Sequence, residues 1–443
     1  MKNKLPKILI TAYAVNPYKG SEDGTGWNII AEIAKQNQVV AITRANNQKA
    51  IEKFLDENQL TQANQLRFEY FDLPYWMRFW KKGGRGALLY FYLWQIGLIF
   101  FILKKKIKFD IAHHLNFHND WTPSFLWLLG KPLVWGPIGH HPPIPKAYLI
   151  SSTGKITYLL DQLKWKVKNC FWAFDPFLKI TRWKSQKIIA INSSVKNCLI
   201  FETNKEVRLP AVAANLPDES FDDLYKNNKN LPEKMFNVLS IGRFVPLKGF
   251  DITIKSFGHF YHNQEAAVQK VLQLTLIGKG PQKAALHQLV KNLKLEEAVL
   301  FIDWMPKFEL YHYFRSSALF LFPSHEGAGM VIPEALSFNL PILCFDNEGP
   351  GELMDATCGF KVPYSTPAES VLAFSKHLGL LYHSKEKLAA LSQGAGSYFK
   401  EFLTWERKGT VISQAYQDIL NSNRRVDVDH NSSNSVNTGL IKT

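Results

Sequence analysis

Cysteine is scarce in this sequence, and the few that occur do not form a metal-binding pattern. The chain has 443 residues and four cysteines, none at metal-type spacing: Cys170, Cys198, Cys344 and Cys358. In a chain this long, such a pattern is typical of reduced thiols in a cytosolic protein. The first residues, MKNKLPKILITAY, also lack the apolar length and the small-residue cleavage site of a signal peptide. We therefore expect a cytoplasmic protein.

Acidic residues are fewer than basic ones. The sequence has 38 Asp and Glu against 53 Lys and Arg, a formal net charge of +15. This imbalance favours anionic partners: phosphorylated substrates, nucleic acid or an anionic membrane surface. No nucleic-acid-binding module is recognisable, and aromatics are interleaved with basic residues only near residues 75–86. We expect no nucleic-acid partner, and a nucleic-acid binder is kept as an alternative.

The sequence has one long apolar run, residues 87–103, with basic residues on both sides. A membrane span needs at least roughly 17 such residues, so length alone does not exclude one. However, strand-like segments flank the run, and a segment between two strands of one sheet cannot cross a bilayer. We expect a buried or half-buried helix. A helix that also touches the inner face of the membrane is the alternative, since residues 75–86 mix Trp and Tyr with Lys and Arg.

Short apolar runs alternate with helical stretches along the chain, and no repeat of fixed period occurs. This alternation predicts an α/β protein with parallel sheets. The predicted strands are residues 7–13, 39–43, 66–72, 111–115, 132–137 and 187–192, then NVLSIG, LQLTLIG, AVLFID, ALFLFP and PILCF. The polar, proline-punctuated segment from Asn215 to Met235 predicts a domain boundary. We expect two Rossmann-like domains, 1–215 and 236–400, with a cleft between them.

Two segments complete the predicted organisation. Residues 401–421 are expected to form a terminal helix that packs back toward the N-terminal domain. Residues 422–443, rich in Asn, Ser and Val, are typical of a disordered tail.

In the second half, the polar and glycine residues follow predicted strands. The first loop, GRFVPLKG, places Gly242 at a sharp turn and brings Arg243 and Lys248 within reach of one anion, with a solvated basic turn as the alternative. The segment FPSHEGAGMVIPEAL follows a later strand and contains Glu326 and Glu334. Pro333 suits a first helical position, which places Glu334 in the first turn. Further glycines mark this edge: Gly327 and Gly329, then Gly349 and Gly351.

Two signatures of other nucleotide-binding proteins are missing. Gly278 and Gly280 form a G-x-G without the third glycine of a dinucleotide fingerprint. This argues against a Rossmann-type dehydrogenase, which remains an alternative. No Asp-x-Asp stands at a predicted strand end, and the one at residues 427–429 lies in the predicted tail, so we expect no required metal.

Taken together, GRFVPLKG and FPSHEGAGMVIPEAL resemble the retaining glycosyltransferases of family 4, which have the GT-B fold of two Rossmann-like domains facing across a cleft. Their glutamate, seven residues, glutamate motif is matched by Glu326 and Glu334. The resemblance covers residues 237 to about 360 and is weaker in the N-terminal half. It implies a nucleotide-diphosphate sugar as co-substrate and no other cofactor.

The resemblance also implies roles for individual residues. Arg243 and Lys248 would hold the donor pyrophosphate, Glu326 would face the donor sugar as a catalytic residue, and Glu334 would bind ribose. The amides around Gly349 and Gly351 would help to hold sugar and phosphates. Transfer with retention would follow, moving the sugar to a glycan or lipid-linked acceptor. Bacterial polysaccharide or lipopolysaccharide assembly would be the setting. A non-catalytic glycan-binding relative is the further alternative.

The N-terminal half is expected to bind the acceptor. NPYKGSEDGTGWN follows the first strand and predicts a flexible loop containing Gly20, Gly24 and Gly26, or a turn that only permits tight helix packing. His113 and His114 stand at a strand end, where the family often has His-x-His. Leu115 replaces the second histidine, so His114, then His113, is the predicted catalytic residue, with His118 as a further option. Gly139 and His140 are predicted to line the acceptor pocket.

Overall fold

A computed structural model describes residues 5–81, 83, 86–116, 119–217 and 235–436. The chain forms two α/β domains, each built on a parallel sheet, which confirms the predicted fold class. The strands are β1 Lys7–Ala12, β2 Gln38–Thr43, β3 Leu66–Tyr70, β4 Ile111–Asn116, β5 Leu133–Ile138, β6 Ser185–Ala190, β7 Glu206–Arg208, β8 Phe236–Ile241, β9 Leu272–Ile277, β10 Val299–Ile302, β11 Leu319–Phe322, β12 Ile342–Phe345 and β13 Gly359–Val362.

The α-helices connect these strands and cover the sheets. In the N-terminal half they are Ser21–Ala34, Gln48–Glu57, Tyr75–Arg78, Ala87–Lys104, Lys146–Thr153, Lys155–Phe174, Pro176–Lys184 and Ser194–Leu199. Those of the second half are Phe250–His262, Ala266–Gln269, Lys283–Asn292, Lys307–Ser316, Val331–Ser337, Pro367–His383, Lys385–Phe402 and Trp405–Val436.

The N-terminal sheet has the order β3-β2-β1-β4-β5-β6-β7 and the C-terminal sheet has the order β10-β9-β8-β11-β12-β13. All pairings are parallel, so the carboxyl ends of the strands in each sheet meet at one edge. The strand order reverses beside β1 and beside β8. Ligands of open α/β sheets bind at such switch points.

Both faces of the N-terminal sheet are buried, because successive side chains of a strand point to opposite faces. Ile8 and Ile10 of β1 join a core that includes the helix Ser21–Ala34 and the terminal helix. Leu9, between them, joins the core under the helix Ala87–Lys104. Covering both faces in this way is what parallel sheets require.

The apolar run in residues 87–103 forms the helix Ala87–Lys104, which is long and apolar enough to cross a membrane by length and composition. Tyr90, Phe91 and Trp94 are fully buried on the sheet, whereas Phe100 is 70% exposed. The strands that flank it, β3 and β4, belong to the same sheet. The helix therefore lies half-buried along the sheet, as the first of the sequence interpretations predicts.

The terminal helix crosses back to the N-terminal domain. Its Trp405, Ile412 and Tyr416 are buried in the core beside the helix Ser21–Ala34. The helix continues to Val436. The expectation of a disordered tail is therefore corrected for residues 422–436, because extending a formed helix adds one hydrogen bond per residue without a new nucleation cost. Residues 437–443, and most of the predicted domain boundary, lie outside the described residues.

The two domains are held together by packing as well as by the chain. Tyr148, from the helix Lys146–Thr153 of the first half, is buried in the core of the C-terminal domain. Its hydroxyl lies 2.6 Å from Ser370 Oγ. A second contact joins Ala214 to the end of the C-terminal domain, where the Ala214 amide donates to Leu403 O at 3.1 Å. These contacts bring the two sheets into one molecule with a cleft between their domains.

Candidate functional site

Two loops of the C-terminal sheet are locked together at the carboxyl ends of β8 and β11. The amide of His325 and the hydroxyl of Ser324 both donate to Leu247 O, at 2.8 and 3.1 Å. Gly249 has φ +66°, and a Cβ there would lie 2.0 Å from Pro323 O. Only glycine adopts this backbone conformation at so short an approach without strain. The β8 loop is thus fixed in register against the β11 loop.

The hydrogen bonds between these two loops bring the ammonium group of Lys248 into contact with the carboxylate of Glu326. Lys248 Nζ lies 2.7 Å from both carboxylate oxygens of Glu326, and the two side chains are 18% and 15% exposed. The ammonium group also lies over the Phe322 ring, 5.0 Å from its centroid. Burial raises the pKa of the Glu326 carboxyl, while the Lys248 charge opposes that shift. The site therefore contains a nearly dry ion pair, which the sequence predicts only as two separate ligands of the donor.

Arg243 lies in the same loop as Lys248 but points into solvent. Its side chain is exposed, and its carbonyl accepts a hydrogen bond from the Val245 amide at 2.8 Å. Among the described residues no ion pair of Arg243 is found. Gly242 lies against the aliphatic stem of Lys248, since a Cβ at Gly242 would be 3.4 Å from Lys248 Cδ. The loop therefore offers one paired and one exposed cation.

The second glutamate of the motif lies on the short helix Val331–Ser337. Glu334 is half-buried in its first turn, as predicted. The helix begins at Val331, however, so Pro333 is its third residue and not its first, a correction of two positions. Gly329 lies beside the first glutamate, because a Cβ there would be 3.5 Å from Glu326 Oε1. The ribose-binding role of Glu334 remains a prediction.

The loop after β12 is held by hydrogen bonds of Asn347. The amides of Gly349 and Gly351 donate to Asn347 Oδ1, at 3.2 and 3.3 Å. Asn347 Nδ2 in turn donates to Ser324 O at 2.8 Å. These bonds hold the β12 loop against the loop that carries Glu326, and the expectation that the amides hold sugar and phosphates stays a prediction.

Gly327 is the point where this loop meets the N-terminal domain. Its amide donates to His141 Nδ1 at 3.1 Å, and its carbonyl accepts from Asn192 Nδ2 at 2.9 Å. A Cβ at Gly327 would lie 2.3 Å from His140 O. The absence of a side chain therefore lets the two domains touch directly beside Glu326. Glu352 makes a second contact, accepting from the amide of Ser193 at 3.0 Å.

The two predicted catalytic histidines do not face this contact. His113 is fully buried, with Nδ1 2.5 Å from the Tyr416 hydroxyl and Nε2 2.6 Å from Gly136 O. Burial lowers its pKa to about 4. His114 is buried on the opposite face, where Gln95 Nε2 lies 3.1 Å from its Nδ1.

The structure therefore places both histidines in the core of the sheet, and the catalytic role expected for them stays a prediction. Neighbouring residues of β4 point to opposite faces of the sheet, and each face is covered by a helix. Both side chains are held by contacts within the protein. His118, the further option, lies outside the described residues.

The glycine-rich segment after β1 is also ordered differently from its prediction. The helix begins at Ser21, so Gly24 and Gly26 lie inside it and both are buried. A Cβ at Gly24 would lie 2.3 Å from Lys19 O. The flexible-loop expectation for these two glycines is corrected, and the alternative of tight helix packing fits them.

Gly139 and His140, which the sequence predicts to line the acceptor pocket, lie directly after β5. Gly139 pairs with Asn119, and His140 Nδ1 lies 2.5 Å from Asp120 Oδ2. Cys198 completes a group of three whose ligand atoms lie within 4.8 Å of one another and that is able to hold a metal ion. Burial, aided by Asp120, raises the pKa of the Cys198 thiol, so this sulfur is neutral at ordinary pH. The His140 backbone faces the Gly327 loop while its side chain turns into the N-terminal domain.

The sequence interpretation missed several residues that hold the site together. They are polar residues that bridge loops or domains: Asp120, Asn192, Ser193 and Asn347. Asn347 stands two residues before Gly349, a glycine already singled out after β12, which is the one signal that points to it. The others have no motif of their own.

Similarity to known proteins agrees with this geometry. Residues 221–397, a region smaller than half of the chain, match the family model described as glycosyl transferases group 1. The match includes the loops after β8, β11 and β12, and therefore the whole Lys248 and Glu326 pair.

Two curated relatives act in bacterial polysaccharide pathways, according to their names. Amylovoran biosynthesis glycosyltransferase AmsD of Erwinia amylovora is 27% identical over 207 residues, which are 45% of this chain and 51% of AmsD. O-antigen biosynthesis glycosyltransferase WclY of Escherichia coli is 24% identical over 222 residues, 48% of this chain and 58% of WclY. The chain thus spans about half the length of these relatives.

A solved structure extends the likeness over both domains. HepE from Anabaena, crystallised with UDP and glucose, superimposes with a TM-score of 0.59 at 14% identity, over 93% of this chain and 100% of HepE. Identity this low establishes the fold alone. The chain has the GT-B fold in both domains, and its C-terminal region matches the glycosyl transferases group 1 family.

Proposed function

We propose that this protein is a retaining glycosyltransferase of family 4 that moves a sugar from a nucleotide-diphosphate sugar to a glycan or lipid-linked acceptor. The observation that carries the proposal is the Lys248 and Glu326 pair, 2.7 Å apart at the carboxyl edge of the C-terminal sheet and beside the interdomain contact at Gly327. The names of AmsD and WclY, and the UDP and glucose bound to HepE, support this assignment.

The charges of the two loops suit a diphosphate and a sugar. Arg243 offers a forked donor and Lys248 a compact ammonium group, and both stabilise the negative charge that develops on a leaving nucleotide diphosphate. Glu326 is an acceptor when ionised, which suits sugar hydroxyls. Because Lys248 already neutralises Glu326, a donor sugar meets a preformed pair. Glu334 is proposed to accept hydrogen bonds from the ribose.

Transfer with retention needs no strong protein nucleophile in this proposal. The leaving phosphate takes the proton of the acceptor hydroxyl as attack occurs on the same face of the sugar. The protein then contributes positioning and electrostatic stabilisation. No metal or other cofactor is proposed for this step.

The acceptor is proposed to enter from the N-terminal domain, at the turn Gly139 to His141 that adjoins Gly327. Bacterial cell-surface polysaccharide or lipopolysaccharide assembly is the proposed setting, at the cytoplasmic face of the membrane. The exposed aromatics of residues 75–79 and the outer side of the helix Ala87–Lys104 support a membrane-proximal location.

The test is nucleotide release from a panel of nucleotide sugars, with product configuration read by NMR. Glu326→Gln is expected to lower turnover at least 100-fold, about 3 kcal/mol, the usual cost of a lost electrostatic contact at reacting atoms. Glu309→Gln, an exposed glutamate in the same domain, is the matched control and is expected to retain wild-type turnover.

Three outcomes would contradict the proposal. Binding of nucleotide sugars without turnover would indicate a non-catalytic relative. Equal turnover in Glu326→Gln and in the wild type would remove Glu326 from the reaction. An inverted anomeric product would refute retention while leaving the donor class intact.

A further inference from the structure

The helix Lys155–Phe174 has 20 residues and none of them is buried. Seven large apolar side chains on it are between 39% and 77% exposed: Ile156, Leu159, Leu160, Leu163, Val167, Phe171 and Phe174. Their spacing of three, one, three, four, four and three residues places them all on one stripe, roughly 120° wide at about 100° per residue. An exposed stripe of this size needs a partner.

The orientation of the helix shows that the stripe faces outward. Trp165 and Trp172 lie on the opposite side, where their rings are 5.8 and 5.3 Å from the His140 ring. The protein side of the helix is therefore already occupied by aromatic packing. Phe171 contacts the Trp121 ring at 5.1 Å between centroids, and it is the least exposed of the seven.

Basic residues flank the stripe on both sides. The helix contains four lysines and one aspartate: Lys155, Lys164, Lys166, Lys168 and Asp161. At about 100° per residue, Lys155, Lys164 and Lys166 fall beside the stripe and not within it. Long lysine side chains in such positions bury their stems while the ammonium groups reach the headgroup level of a bilayer. The ammonium group of Lys168 instead lies over the Trp165 ring, 4.6 Å from its centroid, on the side that faces the protein.

Two neighbouring helices also expose apolar side chains. The rings of Tyr92 and Phe125 are 5.4 Å apart, and those of Phe125 and Phe177 are 5.3 Å apart, so the buried Phe125 ring links the helix Ala87–Lys104 to the helix Pro176–Lys184. The exposed apolar side chains are Leu89, Phe100 and Leu103 on the first helix and Phe177 and Trp183 on the second.

We propose that the helix Lys155–Phe174 docks this protein on an anionic lipid bilayer, lying in the plane of the surface with its apolar stripe among the acyl chains and its lysines at the headgroups. The positive charge of the flanking lysines favours anionic lipid as the partner of the stripe. A second copy of the same face would bring like charges together, whereas anionic lipid complements them. The helix is separate from residues 75–103, on which the membrane prediction from the sequence depends.

Docking through this helix also brings the cleft between the domains close to the membrane surface. Trp165 and Trp172 contact the His140 ring, and the His140 carbonyl lies against Gly327. The acceptor side of the cleft is therefore within one side-chain layer of the docking helix. The placement of the acceptor side rests on the proposed transferase function, whereas the docking itself does not.

Flotation of the full chain with phosphatidylglycerol and phosphatidylcholine vesicles tests the proposal. The wild type is expected to float with the anionic vesicles, less at high salt and at least about tenfold less with phosphatidylcholine alone. The double variant Leu160→Asp and Leu163→Asp is expected to lose at least about tenfold of the bound fraction. Leu372→Asp, an equally apolar substitution site exposed on the C-terminal domain, is the matched control and is expected to float like the wild type.

Two further measurements separate docking from folding and from catalysis. Circular dichroism and thermal melting check that the double variant is folded, and Lys164→Glu with Lys166→Glu offers a second variant that leaves the stripe intact and is expected to weaken flotation. Nucleotide release without membranes is expected to be unchanged in these variants, while Glu326→Gln still floats.

Wild-type flotation by the double variant overturns the proposal. So does the absence of wild-type flotation, and light scattering would then show whether a dimer that depends on Leu160 and Leu163 covers the stripe instead.

Discussion

Two ion pairs lie at the same edge of the C-terminal sheet and behave in opposite ways. Lys248 and Glu326 join the loops after β8 and β11, while Lys283 and Asp303 join the segments after β9 and β10, at nearly equal distances of 2.7 and 2.6 Å. The first pair is 18% and 15% exposed and the second is 42% and 75% exposed. Burial raises the pKa of Glu326, whereas the hydrogen bond from Lys283 lowers that of Asp303.

The two pairs have nearly equal distances but differ in exposure, so exposure decides the direction in which the pKa of each carboxyl group shifts. The free energy needed to remove water from a carboxylate is larger than the attraction that one nearby ammonium group provides. In solvent the same contact is a weak, screened attraction. The buried pair is therefore the one with chemical consequences, and the exposed pair serves as an internal control for it.

The largest effect is expected when the buried pair is broken from the lysine side. Lys248→Met leaves Glu326 nearly dry and without its counter-charge, which is expected to destabilise the fold by about 3 kcal/mol. Urea unfolding measures this change. Adding Glu326→Gln to Lys248→Met is expected to recover most of the loss, and an unchanged midpoint in Lys248→Met would show that the pair is not dry.

A smaller loss is expected when the loop that carries Lys248 is disturbed. Gly249→Ala forces a side chain to within 2.0 Å of Pro323 O at φ +66°, and is expected to cost about 2 kcal/mol. Gly130 has a similar φ of +65° with nothing near its missing Cβ, so Gly130→Ala measures the backbone cost alone, about 1 kcal/mol. Equal midpoints of thermal unfolding for the two variants would argue against the loop clamp.

The two carboxyl groups are also expected to give stability opposite pH dependences. The pKa of Glu326 in the folded state is raised above 4.5, so the folded state binds this proton more tightly than the unfolded state does. The stability that the bound proton contributes is present at low pH and is lost as pH rises through the raised pKa. Asp303 has a pKa lowered below 3.8, so its contribution is present above that value and is lost as pH falls.

Urea unfolding over a pH series separates the two. Glu326→Gln is expected to remove a decline in stability toward neutral pH, and Asp303→Asn to remove a decline toward strong acid. If both variants removed a decline in stability on the same side of the pH range, burial could not be the cause of the raised pKa of Glu326.

The smallest effect is expected for the exposed pair. Lys283→Met is expected to leave the unfolding midpoint and nucleotide release unchanged, because solvent screens its contact with Asp303. Differential scanning calorimetry at low and high salt checks this. A destabilisation as large as that of Lys248→Met would remove the distinction between the two pairs.

The part of the site that could be predicted from the sequence lies where local chemistry is sufficient. Each of the eleven predicted strands is present, since short runs rich in β-branched and apolar residues, bounded by turn residues, are typical of buried strands. The two strands that were not predicted, β7 and β13, have three and four residues. Lys248 and Glu326 were found because charged residues that follow neighbouring strands must meet at the sheet edge.

The partners of several side chains could not be predicted from the sequence. His113 and His114 differ by one residue, yet one lies under the terminal helix and the other under the helix Ala87–Lys104. Gly349 and Gly351 were expected to bind the donor because glycines expose amides, but Asn347 accepts from both. The local sequence does not show which distant residue will form a hydrogen bond with a given donor or acceptor.

The sequence by itself determined the two parallel sheets, the polar loops at their carboxyl edges and the surplus of positive charge, because strand propensity, glycine turns and net charge are local or additive properties. The tertiary structure alone decided that Glu326 is largely buried and paired, that both histidines are buried and that the stripe on the helix Lys155–Phe174 is exposed. Burial depends on what distant parts of the chain pack against a residue, and it is burial that sets the pKa, the availability and the partner of each group.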